Sequence, residues 1–279
     1  MGPARESRAG VLLAVDLGIK GKLALVTGST QGIGYAIAEM LAAEGARVIV
    51  NGRRTDLVKG AVSRLGKFTS EIHGIEADLA CAEGARKIVK IVNAIGSVDI
   101  LVNNVGYFEV KPFAEITDAD WTSMFELNVM SGVRLTRELM PGMLERDWGR
   151  VVFIASEQSA KPNPDMLHYA VSKTAQVSLA RGLAELTRGT RVTVNSVLAA
   201  PTWSEGVEVF LEKMAPAEGK TVDEMRTAYF EGPGRSSLIQ RWATAEEIAA
   251  QVVFLCSERA AAINGAAQRA DGGIVRSLF

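Results

Sequence analysis

Tyr169 and Lys173 stand four positions apart in Tyr169-Ala-Val-Ser-Lys173, and on a helix that spacing puts both side chains on one face, one turn apart. An ammonium beside a phenol favours the phenolate, whose unperturbed pKa is about 10. Lowering that value brings Tyr169 toward the range where a general acid/base can move a proton to or from an alcohol or carbonyl oxygen. Ser156 closes the apolar run Val151-Val-Phe-Ile-Ala155, so a strand would end by aiming its hydroxyl at the same oxygen. Together the three groups suit interconversion of a carbonyl and an alcohol. A Tyr-x-x-x-Lys pair also occurs as a solvated pair on ordinary helices, so its weight comes from the elements around it.

Those elements alternate. Leu23-Ala-Leu-Val-Thr27 has strand length and composition, and the turn Gly28-Ser-Thr-Gln-Gly32-Ile33-Gly34 carries it into a helical pattern from Tyr35. Strand, glycine turn and helix form a phosphate-binding arrangement, because glycines admit a pyrophosphate close to the backbone and the helix start supplies unpaired N–H groups. Further strand patterns run through Arg47–Asn51, Glu71–Ala77, Val98–Val102, Arg191–Leu198 and a last one from Gly265, with helical patterns between them. Such alternation predicts an α/β fold: one parallel sheet covered by helices on both faces. Thr117 reads as the cap of a helix that continues through Asn128, with Asp120 three positions on. Pro162 and Pro164 predict an extended loop up to the Tyr169 helix.

Taken together, the glycine turn, Asn103-Asn104-Val105-Gly106, Ser156, and Tyr169 with Lys173 resemble the classical short-chain dehydrogenase/reductase family, over about Asp16 to Gly273. The resemblance implies a single Rossmann-type, doubly wound domain over 16–279, and a nicotinamide cofactor held by Gly28, Gly32, Ile33 and Gly34. It also implies that Asn104 and Gly106 pack beside the cofactor, that Asp78 with Leu79 meets the adenine, and that Thr202 bonds the carboxamide. Asn128 matches the residue whose side chain holds a water beside Lys173, and a mid-helix Asn has no local reason to be there. Lys173 would also grip the nicotinamide ribose. At the end of the second strand Gly52 occupies the position of an acidic residue that accepts from the ribose hydroxyls, and Arg53 and Arg54 follow it. That favours NADP(H) over NAD(H), since the guanidinium groups match a 2′-phosphate. The family's Pro-Gly after the sixth strand is replaced by Ala199-Ala200. This departure motivates a rival reading, a cofactor-binding sensor or scaffold with little turnover. An epimerase or dehydratase on nucleotide sugars is a weaker rival, because such members carry a larger C-terminal substrate domain.

The remaining features set limits. A formal net charge of -1 over 279 residues gives no reason to expect nucleic acid or an anionic membrane as partner; the expected partners are a small carbonyl or alcohol substrate and further copies of the chain, as a homotetramer or dimer. Cys81 and Cys256 lie in apparently helical segments, lack metal-ligand spacing and suggest a reduced, cytoplasmic setting with no metal. Val11–Val15 is too short to span a membrane, and residues 1–15 read as a disordered extension. Residues 203–241 read as an insertion over the substrate pocket, where Phe210, Met214, Met225, Tyr229 and Phe230 would form an apolar lid. His73 reads as a strand filler, and His168 as a pocket or surface residue rather than the base.

Overall fold

Seven strands pair in parallel in the computed structural model, which describes residues 15–69 and 71–278. They are β1 (Leu23–Val26), β2 (Arg47–Gly52), β3 (Ile72–Glu76), β4 (Ile100–Asn103), β5 (Gly149–Ser156), β6 (Val192–Ala199) and β7 (Ala267–Ala270), in the order β3-β2-β1-β4-β5-β6-β7. Every residue of β5 and β6 is buried, so apolar residues occupy both faces of these strands instead of alternating, and the polar side chains they carry, such as Arg150 and Asn195, are hydrogen-bonded. The chain steps outward from β1 to β3, then returns to the other side of β1 to lay down β4. The strand order therefore reverses between β1 and β4, and a crevice opens there at the carboxyl ends of the strands. This is the expected doubly wound α/β sheet.

Helices cover both faces. On one lie α1 (Gly32–Ala43), α2 (Thr55–Leu65) and, from the far end of the chain, Ala245–Cys256; Ile37, Leu41, Leu65, Val252 and Val253 pack there against Val26, Val50 and Val152. The opposite face holds α3 (Ala82–Ile95), Asp118–Phe125 (α4), Ser131–Glu145 (α5) and Leu167–Glu185 (α6), with Ile88, Leu135, Met143 and Ala184 packed against Leu25, Leu101 and Phe153. The predicted capping box forms: the Thr117 hydroxyl accepts from Asp120 N at 3.2 Å and Asp120 accepts from Thr117 N at 2.8 Å. Between α4 and α5 the chain widens into one π-helical turn, Glu126–Met130, centred on Asn128.

Two expectations need correction. Residues 161–165 do not stay extended, because Pro164 opens a 3₁₀ turn, Pro164–Met166, capped by Asn163 and running straight into α6. A proline fits that first position, where its missing N–H would have had no partner. Cys81 precedes α3 as its cap residue instead of lying inside a helix, whereas Cys256 ends the last helix; both are free thiols. The segment from 203 builds α7 (Glu205–Glu218), closed by left-handed Gly219, and α8 (Val222–Ala228); Ala245–Cys256 is then α9. Residues 1–14 of the expected N-terminal extension lie outside the described residues. Among those described, no helix is long and apolar enough to cross a membrane.

Candidate active site

β5 and α6 bring the proposed reacting groups to one end of the sheet. β5 delivers Ser156 as its last residue, and α6 projects Tyr169 and Lys173 from successive turns toward it. Lys173 is buried, and its ammonium donates to Ile154 O at 2.8 Å, which ties α6 to the strand carrying Ser156. Its Nζ lies 5.7 Å from the centre of the Tyr169 ring. Ser156 Oγ accepts from Gln158 N at 3.1 Å and donates to the Glu157 carboxylate in a short bond. It is also within hydrogen-bonding reach of the Tyr169 hydroxyl.

Asn128 joins this group from the turn between α4 and α5. Its Nδ2 donates to Tyr107 O and Ser172 Oγ, each at 3.0 Å, and its Oδ1 accepts from Tyr107 N at 3.0 Å. Both side-chain hydrogens are therefore occupied in holding the 107 backbone against α6. Gly106 lies between the two polar groups: a Cβ there would sit 3.1 Å from Asn128 Oδ1 and 3.4 Å from Lys173 Nζ. A π turn at this point swings Asn128 out of helical register and lets one residue reach the loop after β4 and α6 together.

Electrostatics at the site run against the simple spacing argument. Burial first, and the Glu157 carboxylate second, raise Tyr169 above the ordinary phenol value, and only the Ser156 hydrogen bond pulls it down. Lys173 is itself brought down to about 7 by burial. The phenol thus stays protonated at neutral pH, as an acid for carbonyl reduction must be, while the neighbouring amine is poised to gain or lose a proton.

The residues at the crevice fit a dinucleotide. Gly28 and Gly32 adopt left-handed φ of +59° and +56°, and a Cβ on Gly34 would come within 2.3 Å of Gly28 O. Gln31, the residue that precedes α1, makes no side-chain cap hydrogen bond, so the first-turn N–H groups of α1 are left to partners from outside the helix. Asn104 fastens the turn by donating to Thr27 O at 2.9 Å and Gly28 O at 3.0 Å. Ile33 is half-buried against the core and Leu79 is buried in it, so each can offer a ligand only its main chain or a hydrophobic edge. Asp78 is exposed and accepts from Ala80 N at 3.0 Å. At the end of β2 a Cβ on Gly52 would meet Thr30 Cγ2 at 2.6 Å, so an acidic side chain there would have to displace Thr30. The two arginines are not equivalent: Arg54 pairs with Asp56 at 2.6 Å, whereas Arg53 is exposed and forms no ion pair among the described residues.

Thr202 follows β6 by three residues. It is buried, and its hydroxyl donates back to Ala200 O at 2.8 Å. Ser204 and Glu205 come next: Glu205 Oε2 accepts from Gly32 N at 3.1 Å, placing a carboxylate at the start of α1. Above the site Phe210 of α7 stacks edge-on against Phe108 at 5.2 Å, and Phe108 against Tyr169 at 6.2 Å. Tyr229 and Phe230 cluster with Trp242, at 4.6 and 5.8 Å between ring centres. Met214 and Met225 are half-buried on α7 and α8. His168 is not at the surface; it is fully buried, with Nε2 3.3 Å from Glu109 and its ring beside Trp121. His73 stands in β3, half-buried.

Four residues near the site were not singled out from sequence for a polar role. Asn51 accepts from Gly28 N at 3.3 Å and donates to Ile75 O and Ala77 O at 3.2 Å, locking the glycine turn to β2 and β3. Glu157 and Glu205 place carboxylates at opposite ends of the crevice, and Tyr229 is raised above the ordinary phenol value by burial and then by Glu157 and Tyr169. A signal existed for Glu157 alone, as an acidic residue two positions after the apolar run Val151–Ala155.

A family model described as short chain dehydrogenase matches residues 22–214. The chain is 52% identical over 264 residues to the uncharacterized oxidoreductase YvrD of Bacillus subtilis, covering 95% of this chain and all of that one. Its structure is similar to that of L-sorbose reductase from Gluconobacter frateurii complexed with NADPH and L-sorbose, with a TM-score of 0.90, 33% identity, and coverage of 95% of this chain and 100% of the other. It is also similar to actinorhodin polyketide ketoreductase with NADPH, with a TM-score of 0.84, 30% identity, and coverage of 92% and 98%.

Proposed function

Since the chain belongs to the short-chain dehydrogenase/reductase family, we propose that it interconverts a carbonyl and an alcohol on a small molecule, with NADP(H) in preference to NAD(H). The observation that carries this reading is the meeting of Ser156, Tyr169 and Lys173 at the carboxyl end of β5. The cofactor supplies or accepts the hydride. In the reduction direction Tyr169 donates its phenolic proton to the substrate oxygen, and Ser156 directs its hydroxyl hydrogen at the same oxygen as negative charge develops there. Lys173, held by Ile154 O one turn from Tyr169, returns a proton to the phenol by a path that passes near Asn128. Asn128 keeps Tyr107 and Ser172 in place around that path. Exposed Arg53 provides the cation for a 2′-phosphate, and Gly52 presents no carboxylate to repel it.

Aromatic side chains of the 203–241 segment form the lid over the substrate end of the crevice. The L-sorbose reductase that this chain resembles binds a ketose, which puts sugars and polyols first among candidate substrates. Two free cysteines are compatible with a reduced, cytoplasmic setting. A steady-state assay of NADPH oxidation against a panel of ketoses, ketones and aldehydes tests the proposal. Consumption of NADPH with at least one of them is expected; tight NADPH binding with no consumption by any would leave a sensor or scaffold as the surviving reading.

A further inference from the structure

Ser156 has one hydrogen to donate, and it faces two acceptors. In the structure that hydrogen goes to Glu157 Oε2, while the serine oxygen accepts from Gln158 N at 3.1 Å. A carbonyl oxygen in the site requires the same hydrogen. The competitor is well held: Glu157 is 5% exposed, and its other oxygen accepts from Gln158 Nε2 at 3.0 Å. Facing it are Tyr169 from α6, Tyr229 from the end of α8, and Lys161 from the loop after β5. Lys161 gives little compensation, because its ammonium is turned to Pro233 O at 2.8 Å.

We propose that Glu157 is a positioning residue for Ser156 that serves the carbonyl/alcohol reaction in its protonated form. A neutral carboxyl donates its own hydrogen to Ser156 Oγ. With Gln158 N already on the other lone pair, both acceptor sites of the serine are filled, and its hydrogen is left for the open side of the site where the substrate oxygen must lie. An ionised carboxylate does the reverse. It takes the serine hydrogen and leaves a lone pair facing the substrate, which repels a carbonyl oxygen. The buried setting favours the neutral form, since burial raises Glu157 while its hydrogen bonds to Ser156 and Gln158 and the charge of Lys161 act the other way.

The inference rests on the proposed reaction, so its test includes a readout that needs no substrate. Infrared difference spectra of the whole protein against pH should show a protonated-carboxyl band that titrates, is missing in Glu157→Gln, and titrates at higher pH in Ser156→Ala, where one bond favouring the carboxylate is gone. In kinetics, kcat for carbonyl reduction should fall as pH rises through that same titration in the wild type. Glu157→Gln, whose amide can donate to Ser156 at every pH, should keep its rate across that range. Glu157→Ala should lose up to the roughly 10²-fold that removal of one oxyanion donor produces, and adding it to Ser156→Ala should change little. A carboxyl band that Ser156→Ala leaves in place, or a Glu157→Gln profile with the wild-type fall in kcat, overturns the inference even if carbonyls are reduced. A coupled band in a protein that reduces no carbonyl instead removes the functional reading on which it depends.

Discussion

At the scale of single residues the site holds one amine, that of Lys173, in a state that water would not favour. Lys173 is lowered to about 7 from 10.5 by burial. Between those values the unfolded chain binds a proton that the folded chain has released, so stability rises with pH across the window and is lost as pH falls through about 7. Lys173→Met deletes this dependence. Its melting temperature relative to wild type should be higher near pH 6 than near pH 10 by at least about 2–4 °C, the shift that 1 kcal/mol produces in chains approaching this size. Equal differences at the two pH values would mean that Lys173 stays charged in the folded protein. Tyr169 calls for a different measurement. Tyr169→Phe keeps the ring that meets Phe108 and removes only the hydroxyl, so NADPH binding followed by fluorescence should persist while kcat drops by about 10² to 10⁴-fold. Near-wild-type turnover in that variant would end the assignment of Tyr169 as the acid.

At the scale of elements, the start of α1 and the start of α7 meet through one hydrogen bond, Gly32 N to Glu205 at 3.1 Å. A carboxylate there benefits from the helix end but opposes a pyrophosphate approaching the same N–H groups. Glu205→Gln should therefore tighten NADPH by about two- to fivefold, the range set by a helix-end charge effect of about 0.3–1 kcal/mol; weaker binding would show that the carboxylate supports the loop instead. After β2, Arg53→Asp should weaken NADPH far more than NADH, by about 1.5–3 kcal/mol, because only NADPH offers a 2′-phosphate to the guanidinium. Equal losses would make Arg53 structural. What the sequence revealed of these elements follows from how local each signal is. β1, β4 and the centre of β5 announce themselves as apolar runs, the α1 turn as glycines whose φ or close packing disfavours other residues, and the α4 cap as Thr117 with Asp120. The π turn at Asn128, the burial of His168 against Glu109 and the inward turn of the Thr202 hydroxyl arise only when distant segments pack. Glu157 and Glu205 were hidden for the same reason: a carboxylate acquires its role from the Ser156 hydroxyl or the Gly32 N–H it meets, and neither contact has a spacing signature.

At the scale of the whole molecule, α6 presents a face that its own chain does not cover. Val171 is 43% exposed, and Thr174, Ser178 and Gly182 continue the exposed row at intervals of three and four residues, so they share one side of the helix. Gly182 is the informative member. A Cβ at that position would meet nothing within 4 Å, so no contact among the described residues requires glycine, yet glycine within a helix costs about 1 kcal/mol relative to alanine. A close helix neighbour from a second copy would supply the missing reason. The outer edge of β7 is a second surface of this kind, since β7 pairs with β6 on one side and ends the sheet on the other. We therefore propose assembly into a homotetramer or dimer with α6 against its counterpart. Light scattering at micromolar concentration should give a multiple of the chain mass. Gly182→Leu, which fills the gap between helices without touching its own fold, should shift that mass downward while leaving the far-ultraviolet spectrum intact. Gly182→Ala separates the two explanations for the glycine: it should stabilise a chain that is already monomeric by up to about 1 kcal/mol, but destabilise one in which two helices approach within a methyl group's width. A wild-type chain that scatters as a monomer, or a Gly182→Leu variant that assembles as before, would remove α6 as the interface.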